Sequence, residues 1–153
     1  MLEQITPGLD RIGDRLRREK KYCQTVESLG RSYLEEEGPS LIHGDLFPGS
    51  LLQASDGNLY VIDPEFSFCG YPEFDIGVFF AHLIISSHKE DVASFWLKAA
   101  REETGHSETL VLQYAGVEIM RRLLGVAQLP ISLSLEAKGE LLDRSREMVL
   151  GRA

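Results

Sequence analysis

The stretch LIHGDLFPGSLL, Leu41 to Leu52, followed after a short turn by VIDPEFSFCG, Val61 to Gly70, decides how this chain is read. It sets His43, Asp45, Asp63 and Glu65 at the edges of short apolar runs. Carboxylates beside such runs are costly unless something positive belongs with them. Ser40 to His43, Leu51 to Gln53 and Leu59 to Ile62 read as strands, the last two joined through Ser55-Asp56-Gly57-Asn58 as a hairpin. A hairpin returns the end of its second strand to the level where its first strand began. Asp63 is therefore expected near Ser50, with Glu65 just beyond and Asp45 on the adjoining loop. Acids gathered in this way repel one another unless a cation sits among them. Oxygen donors suit Mg²⁺, which takes one or two carboxylates and completes its shell with substrate phosphates.

The bulk composition limits the alternatives. With 153 residues, 43% hydrophobic and 26% charged, the chain has the size and balance of one globular domain spanning 1–153. A formal charge of −8 argues against broad nucleic-acid binding, because a phosphate backbone would be repelled. Cys23 and Cys69 make neither a metal-spaced pair nor a disulfide framework, which points to a reducing, cytoplasmic setting. No cationic leader precedes an apolar core at the N-terminus. The most apolar run, Ile76 to Ile85, falls well short of the ~20 residues a spanning helix needs, so no membrane role is expected.

Outside the hairpin the pattern is helical. One helix is expected over Asp10 to Glu37, weakened at Gly30 and ended by Gly38-Pro39. Others are expected near Phe74–Ser87, Asp91–Thr104, Ser107–Ala127 and Leu133–Leu150. The fold class is α+β, mainly helical, with a small β-hairpin region embedded in a helical body. The helix from Ser107 is apolar almost all round and is read as buried. It carries Arg121 and Arg122, and a buried guanidinium needs an anion. Glu118 supplies one for Arg122, whereas Arg121 is expected to lack a local partner and to face a cleft. His82 and Trp96 are read as core residues, and His88 and His106 as surface residues at helix ends.

Three strings carry a family resemblance. HGDLFPGSLL resembles the catalytic loop of the aminoglycoside phosphotransferase and choline kinase superfamily of small-molecule kinases. VIDPEFSFCGYPEFDIG, with Ser50 where most relatives carry Asn, resembles the methylthioribose kinase branch. EIMRRLLGVAQLP, Glu118 to Pro130, resembles the twin-arginine helix of the same kinases. The resemblance implies the C-terminal lobe of a protein-kinase-like fold acting with ATP and Mg²⁺. Asp45 would be the catalytic aspartate, orienting a substrate hydroxyl and accepting its proton. Asp63 would join the metal to the ATP phosphates, Glu65 would add a second carboxylate, and Ser50 would offer a hydroxyl to the same metal and cofactor site. Arg121 and Arg122 would meet transferring phosphoryl charge. His43 would brace the loop, and Asp75 would tie down its backbone. Phe47 departs from the family, which usually has His there.

The resemblance covers Leu41 to Pro130. The residues before it read as helix and contain neither a G-x-G-x-x-G loop nor a strand lysine, which a kinase places in its other lobe. The expected function is therefore ATP-dependent transfer to a small-molecule alcohol such as a thiosugar, by a lobe with doubtful stand-alone activity. A catalytically inactive binding or assembly module is the alternative, and a metal-dependent hydrolase built on the same acids is a weaker third. An apolar patch where the second lobe would dock predicts a homodimer or a covering partner.

Overall fold

The charged N-terminal segment forms two helices, α1 (Leu9–Arg18) and α2 (Lys20–Glu35), in a computed structural model that describes residues 6–86 and 90–152. The expected single helix breaks at Glu19, whose backbone is extended. Its carboxylate accepts two hydrogen bonds from Arg146, at 2.5 and 2.6 Å. That distant partner fixes the break, and nothing local in the sequence signals it.

The chain then alternates short strands with tight turns. β1 (Ser40–Ile42) leads through a loop and a 3-10 turn at Pro48–Ser50 into β2 (Leu51–Gln53). β3 (Leu59–Val61) returns, and a second 3-10 turn at Pro64–Phe66 precedes β4 (Phe68–Gly70). The hairpin forms as expected, with Leu52 opposite Tyr60. Gly57 takes φ 86° in its turn, where the Asp56 carboxylate accepts from the Asn58 backbone N–H. The Ile62 N–H donates to the Ser50 carbonyl at 2.9 Å and extends the pairing by one bond. β1 is not a lone strand: it pairs antiparallel with β4, Leu41 opposite Cys69. The two sheets lie in tandem, so the loop after β1 and the turn after β3 are both held at each end.

Four more helices follow: α3 (Pro72–Ile85), α4 (Glu90–Thr104), α5 (Glu108–Leu124) and α6 (Leu135–Val149). Each lies within a few residues of its expected span; Ser87 and His88 fall outside the described residues. Ser107 and Ser134 cap α5 and α6, accepting from the N–H groups of Leu110 and Ala137. The core is α3 against α5, with α6 on the far side of α5, and it holds Phe80, Ala81, Ile119, Leu142 and Met148. Trp96 packs on Phe79 with ring centroids 4.4 Å apart, as a core residue should. His106, expected at the surface, is instead mostly buried, with Nδ1 3.6 Å from Glu73. Among the described residues no helix is long and apolar enough to cross a membrane.

Two glycines set how closely the central helices approach. A Cβ on Gly77 of α3 would sit 2.6 Å from the Val111 carbonyl oxygen, and one on Gly116 of α5 would sit 2.6 Å from that of Ser145. Both obstacles are backbone and cannot rotate away. Gly77→Ala is expected to force α3 from α5 and to cost about 1–3 kcal/mol of stability, read by urea unfolding. An unchanged midpoint would show that the contact yields without cost.

Candidate active site

The loop after β1 is shaped by one glycine and one buried carboxylate. Gly44 takes φ 83°, and a Cβ there would lie 2.3 Å from the Phe66 carbonyl oxygen. Only glycine lets this loop touch the turn after β3. Asp75, at the start of α3, accepts the backbone N–H groups of His43 and Gly44 at 2.6 and 3.0 Å. Burial pushes the Asp75 carboxyl above its ordinary value, against the pull of those two hydrogen bonds. The His43 ring donates from Nε2 to the Ile62 carbonyl at 2.9 Å and accepts the Asp45 N–H at Nδ1, 3.3 Å away. Both ring nitrogens are thus committed to the backbone, and the ring links the loop to the end of β3.

Ser50 is only 2% exposed. Its hydroxyl donates to the Asp45 carbonyl at 3.1 Å and accepts the Phe47 N–H at 3.4 Å. Those bonds close the loop internally and leave the hydroxyl little freedom to act as a ligand. Phe47, where relatives of the resembled family usually carry His, lays its ring against His82 at 5.2 Å.

Asp63 and Glu65 sit in the open on either side of Pro64. Asp63 is the one non-glycine among the described residues with positive φ, 67°, a conformation that Asp tolerates better than most residues. Neither carboxylate has a hydrogen-bond or ion-pair partner among the described residues. The expected three-acid cluster does not close: no three His, Cys, Asp or Glu side chains of the described residues are grouped to hold a metal. The physical reason is that Asp45 turns instead to the arginines of α5.

Those arginines converge on one carboxylate, that of Glu118. It is 3% exposed and receives Arg121 Nε at 2.6 Å, Arg121 Nη2 at 3.0 Å and Arg122 Nε at 2.6 Å. His82 Nε2 of α3 donates a fourth bond at 3.2 Å. The expectation that Arg121 lacks a local partner is therefore wrong. On a helix both i−3 and i−4 neighbours are in reach, and Glu118 stands at each spacing once. Burial pushes the Glu118 carboxyl up, but the bonds from His82 and the two arginines outweigh it and hold the group at about 2. Asp45 Oδ1 in turn accepts Arg122 Nη2 at 3.0 Å and lies 3.7 Å from Arg121 Nη2. Arg122 is 12% exposed and Arg121 40%. Arg122 is the inner clamp, and Arg121 is the one that reaches open space. Asp45 Oδ2 has no partner among the described residues.

That open space is a cavity of about 480 Å³. Asp45, Arg121, Arg122 and Glu118 line its polar end, while Phe66, Phe74, Tyr114 and the α2 residues Leu29 and Tyr33 line its apolar wall. The part played by α2 was not expected from sequence, although Val26, Leu29, Gly30 and Tyr33 show the helical spacing of one face.

The model of the phosphotransferase enzyme family matches residues 4–109. A methylthioribose kinase of Exiguobacterium sibiricum is 30% identical over an alignment covering 97% of this chain and 46% of that protein. One from a Geobacillus species is 34% identical over 82% of this chain and 39% of its own length. Methylthioribose kinase 1 of Oryza sativa is 35% identical over 56% of this chain and 20% of its own length. The chain thus spans less than half the length of the curated relatives it matches.

The low value at Glu118 makes a pH prediction with a definite sign. Its folded pKa lies below the ordinary 4.5, so its stabilising contribution is complete above about pH 5 and drains as pH falls from 4.5 toward about 2. The shift corresponds to about 3 kcal/mol. Asp75 runs the opposite way: its raised value removes stability as pH climbs from the ordinary carboxylate range through the folded value. Comparing wild type with Glu118→Gln separates the two. The variant is expected to be about 3–5 kcal/mol less stable near neutral pH, and the gap is expected to shrink by about 2 kcal/mol near pH 3. A gap independent of pH would overturn the assignment.

Proposed function

The chain belongs to the phosphotransferase enzyme family, and from that premise we propose that it is the acceptor- and metal-binding part of a small-molecule kinase. Its reaction would transfer the γ-phosphoryl group of ATP to a hydroxyl of a thiosugar such as methylthioribose, in the cytoplasm. The observation that carries this reading is Asp45, fixed through Oδ1 at the head of the cavity with Oδ2 left unpartnered.

In this reading the acceptor hydroxyl donates to Asp45 Oδ2, which aims its oxygen at the phosphoryl group and takes its proton as the new bond forms. Arg122 holds the carboxylate in place, and Arg121 faces the oxygens that gain charge. His43, Asp75 and Ser50 keep the loop from rotating, since phosphoryl transfer depends more on position than on a strong base. Ser50 acts here as a brace and not as a ligand, because its hydroxyl is buried and engaged.

The donor set at Asp63 and Glu65 fits Mg²⁺. Two exposed carboxylates without partners among the described residues leave room for phosphate and water, which is how this ion is usually held, and not in an all-protein cage. When bound, the ion would supply positive charge to offset that of the ATP phosphates. The chain itself has no glycine-rich phosphate loop. The rest of the nucleotide site would come from a complementary lobe, or from a partner or second copy in its place. Leu52, Leu59, Tyr60 and Val61 on the hairpin are each exposed by about half or more and would be covered by it. Without that covering the chain would be a binding module only.

The test combines the chain with a complementary kinase lobe and assays ATP-dependent phosphorylation of methylthioribose, an aminoglycoside, choline and homoserine. Methylthioribose is the expected acceptor, with Asp45→Asn lowering turnover at least about 100-fold. Calorimetric titration with Mg²⁺ and ATP is expected to show weak binding that Asp63→Ala abolishes. Identical titrations of wild type and Asp63→Ala would rule out the metal site, and transfer indifferent to Asp45→Asn would rule out the catalytic role.

A further inference from the structure

Glu118, Arg121 and Arg122 all stand on α5, and the bonds among them join residues three or four apart. Such bonds are local to a helix. They fix the three side chains to one another, yet leave the set free to swing together over the surface of α5. Arg122 alone therefore cannot hold the Asp45 carboxylate at a defined place. The tie to a second helix is His82 of α3, whose Nε2–H donates to Glu118 Oε1 at 3.2 Å. His82 is 6% exposed, and the Phe47 ring lies against it at 5.2 Å, so little water competes for that bond. The same helix holds the loop from the other side, through the Asp75 carboxylate and the N–H groups of His43 and Gly44. Contacts thus leave α3 at Asp75, pass through Asp45, Arg122 and Glu118, and return to α3 at His82, two turns further on. Without His82 the circuit is open, and the carboxylate of Asp45 follows whatever position the α5 side chains take.

We infer that His82 is a positioning residue: its Nε2–H seats Glu118, and through Glu118 and Arg122 it fixes where the Asp45 carboxylate stands. The inference rests on the kinase reading and adds to it a residue of α3 that touches no substrate. His82 is not among the side chains that line the cavity, so an acceptor bound there would not meet it. The position asks for an N–H donor without charge. Two guanidinium groups are already matched by the carboxylates of Glu118 and Asp45, and a further buried cation would be left unmatched. An uncharged side chain that reaches Glu118 with an N–H should therefore replace His82, and one that cannot reach should not. Glutamine places its amide nitrogen about where Nε2 stands. Asparagine is one methylene too short, and leucine has no donor.

The test measures how Asp45→Asn changes the unfolding constant of the chain, by urea denaturation, in four backgrounds: wild type, His82→Gln, His82→Leu and His82→Asn. Because His82 and Asp45 are not bonded to each other, a histidine that only fills the core leaves the effect of Asp45→Asn the same in every background. A histidine that positions Asp45 does not. The effect is expected to agree within about twofold between wild type and His82→Gln, and to be at least about threefold smaller in His82→Leu and His82→Asn. His82→Asn carries the comparison if His82→Leu does not fold. Equal effects in all backgrounds overturn the inference, and so does a His82→Gln background that behaves like His82→Leu. In the assay with a complementary lobe, His82→Leu or His82→Asn is expected to lower kcat at least about tenfold and to leave the acceptor KM within about twofold. His82→Gln is expected to recover most of that loss. Transfer by wild type that neither variant alters overturns the inference whatever the unfolding constants show. Absence of transfer by wild type rejects the kinase reading alone, and the unfolding constants then decide whether His82 holds Asp45 in place.

Discussion

Two guanidinium groups share one buried carboxylate in this protein, and the rest of the site depends on that sharing. Glu118 is nearly sealed from solvent, yet it stays ionised because Arg121, Arg122 and His82 surround it. A lone buried carboxylate would cost several kcal/mol, and so would a half-buried arginine without an anion. Each here is the remedy for the other. With two positive charges and one negative, the cluster still has one unit of positive charge to spend. That unit is met by Asp45, on a loop 77 residues from Arg122 in sequence. The ionic balance of a buried helix thereby fixes the position of a carboxylate on a surface loop.

The same balance explains why α3 and α5 approach so closely. His82 can reach Glu118 only if α3 lies against α5 at the distance that Gly77 allows. Asp75, seven residues before His82 on the same helix, holds the backbone N–H groups of His43 and Gly44. One helix therefore fixes both the loop that carries Asp45 and the arginine cluster that clamps it. An error in the seating of α3 would displace both ends of the Asp45 contact together. The packing of the core is in this sense part of the geometry of the site.

Much of this was legible in the sequence, and the parts that were not share a cause. The hairpin, the loop motif and the four C-terminal helices follow from turn residues and apolar periodicity, which are local signals. The pairing of β1 with β4 joins Ser40 to Gly70 across an intervening hairpin, and no local pattern announces it. The break at Glu19 depends on Arg146, 127 residues away. The expected gathering of Asp45 with Asp63 and Glu65 rested on hairpin geometry alone and left out the competing pull of the arginines. Glu118 as the partner of Arg121 could have been read directly. An acid at i−3 from one arginine and i−4 from the next, on an otherwise apolar helix, can face both. The stripe on α2 was also visible in the helical spacing, but the motifs with recognisable chemistry lie from Leu41 onward, although the family match itself runs over residues 4–109 and includes α2.

The two halves of the site are built to opposite specifications, and their chemistry explains why. The end at Asp45 is braced: the N–H groups of His43, Gly44, Asp45 and Phe47 and the Ser50 hydroxyl are all hydrogen-bonded within the loop or to Asp75. In the proposed kinase reading such rigidity would suit a group that aims a hydroxyl, because the entropy of alignment is then met in folding and not at each turnover. The end at Asp63 and Glu65 is open and unpartnered, held only by its backbone and by the unusual φ of Asp63. If that end holds an ion with a nucleotide, as proposed, it would need ligands without prior commitments, since every internal hydrogen bond would have to be broken at binding. In that reading, protein partners for Asp63 would make the ion harder to bind.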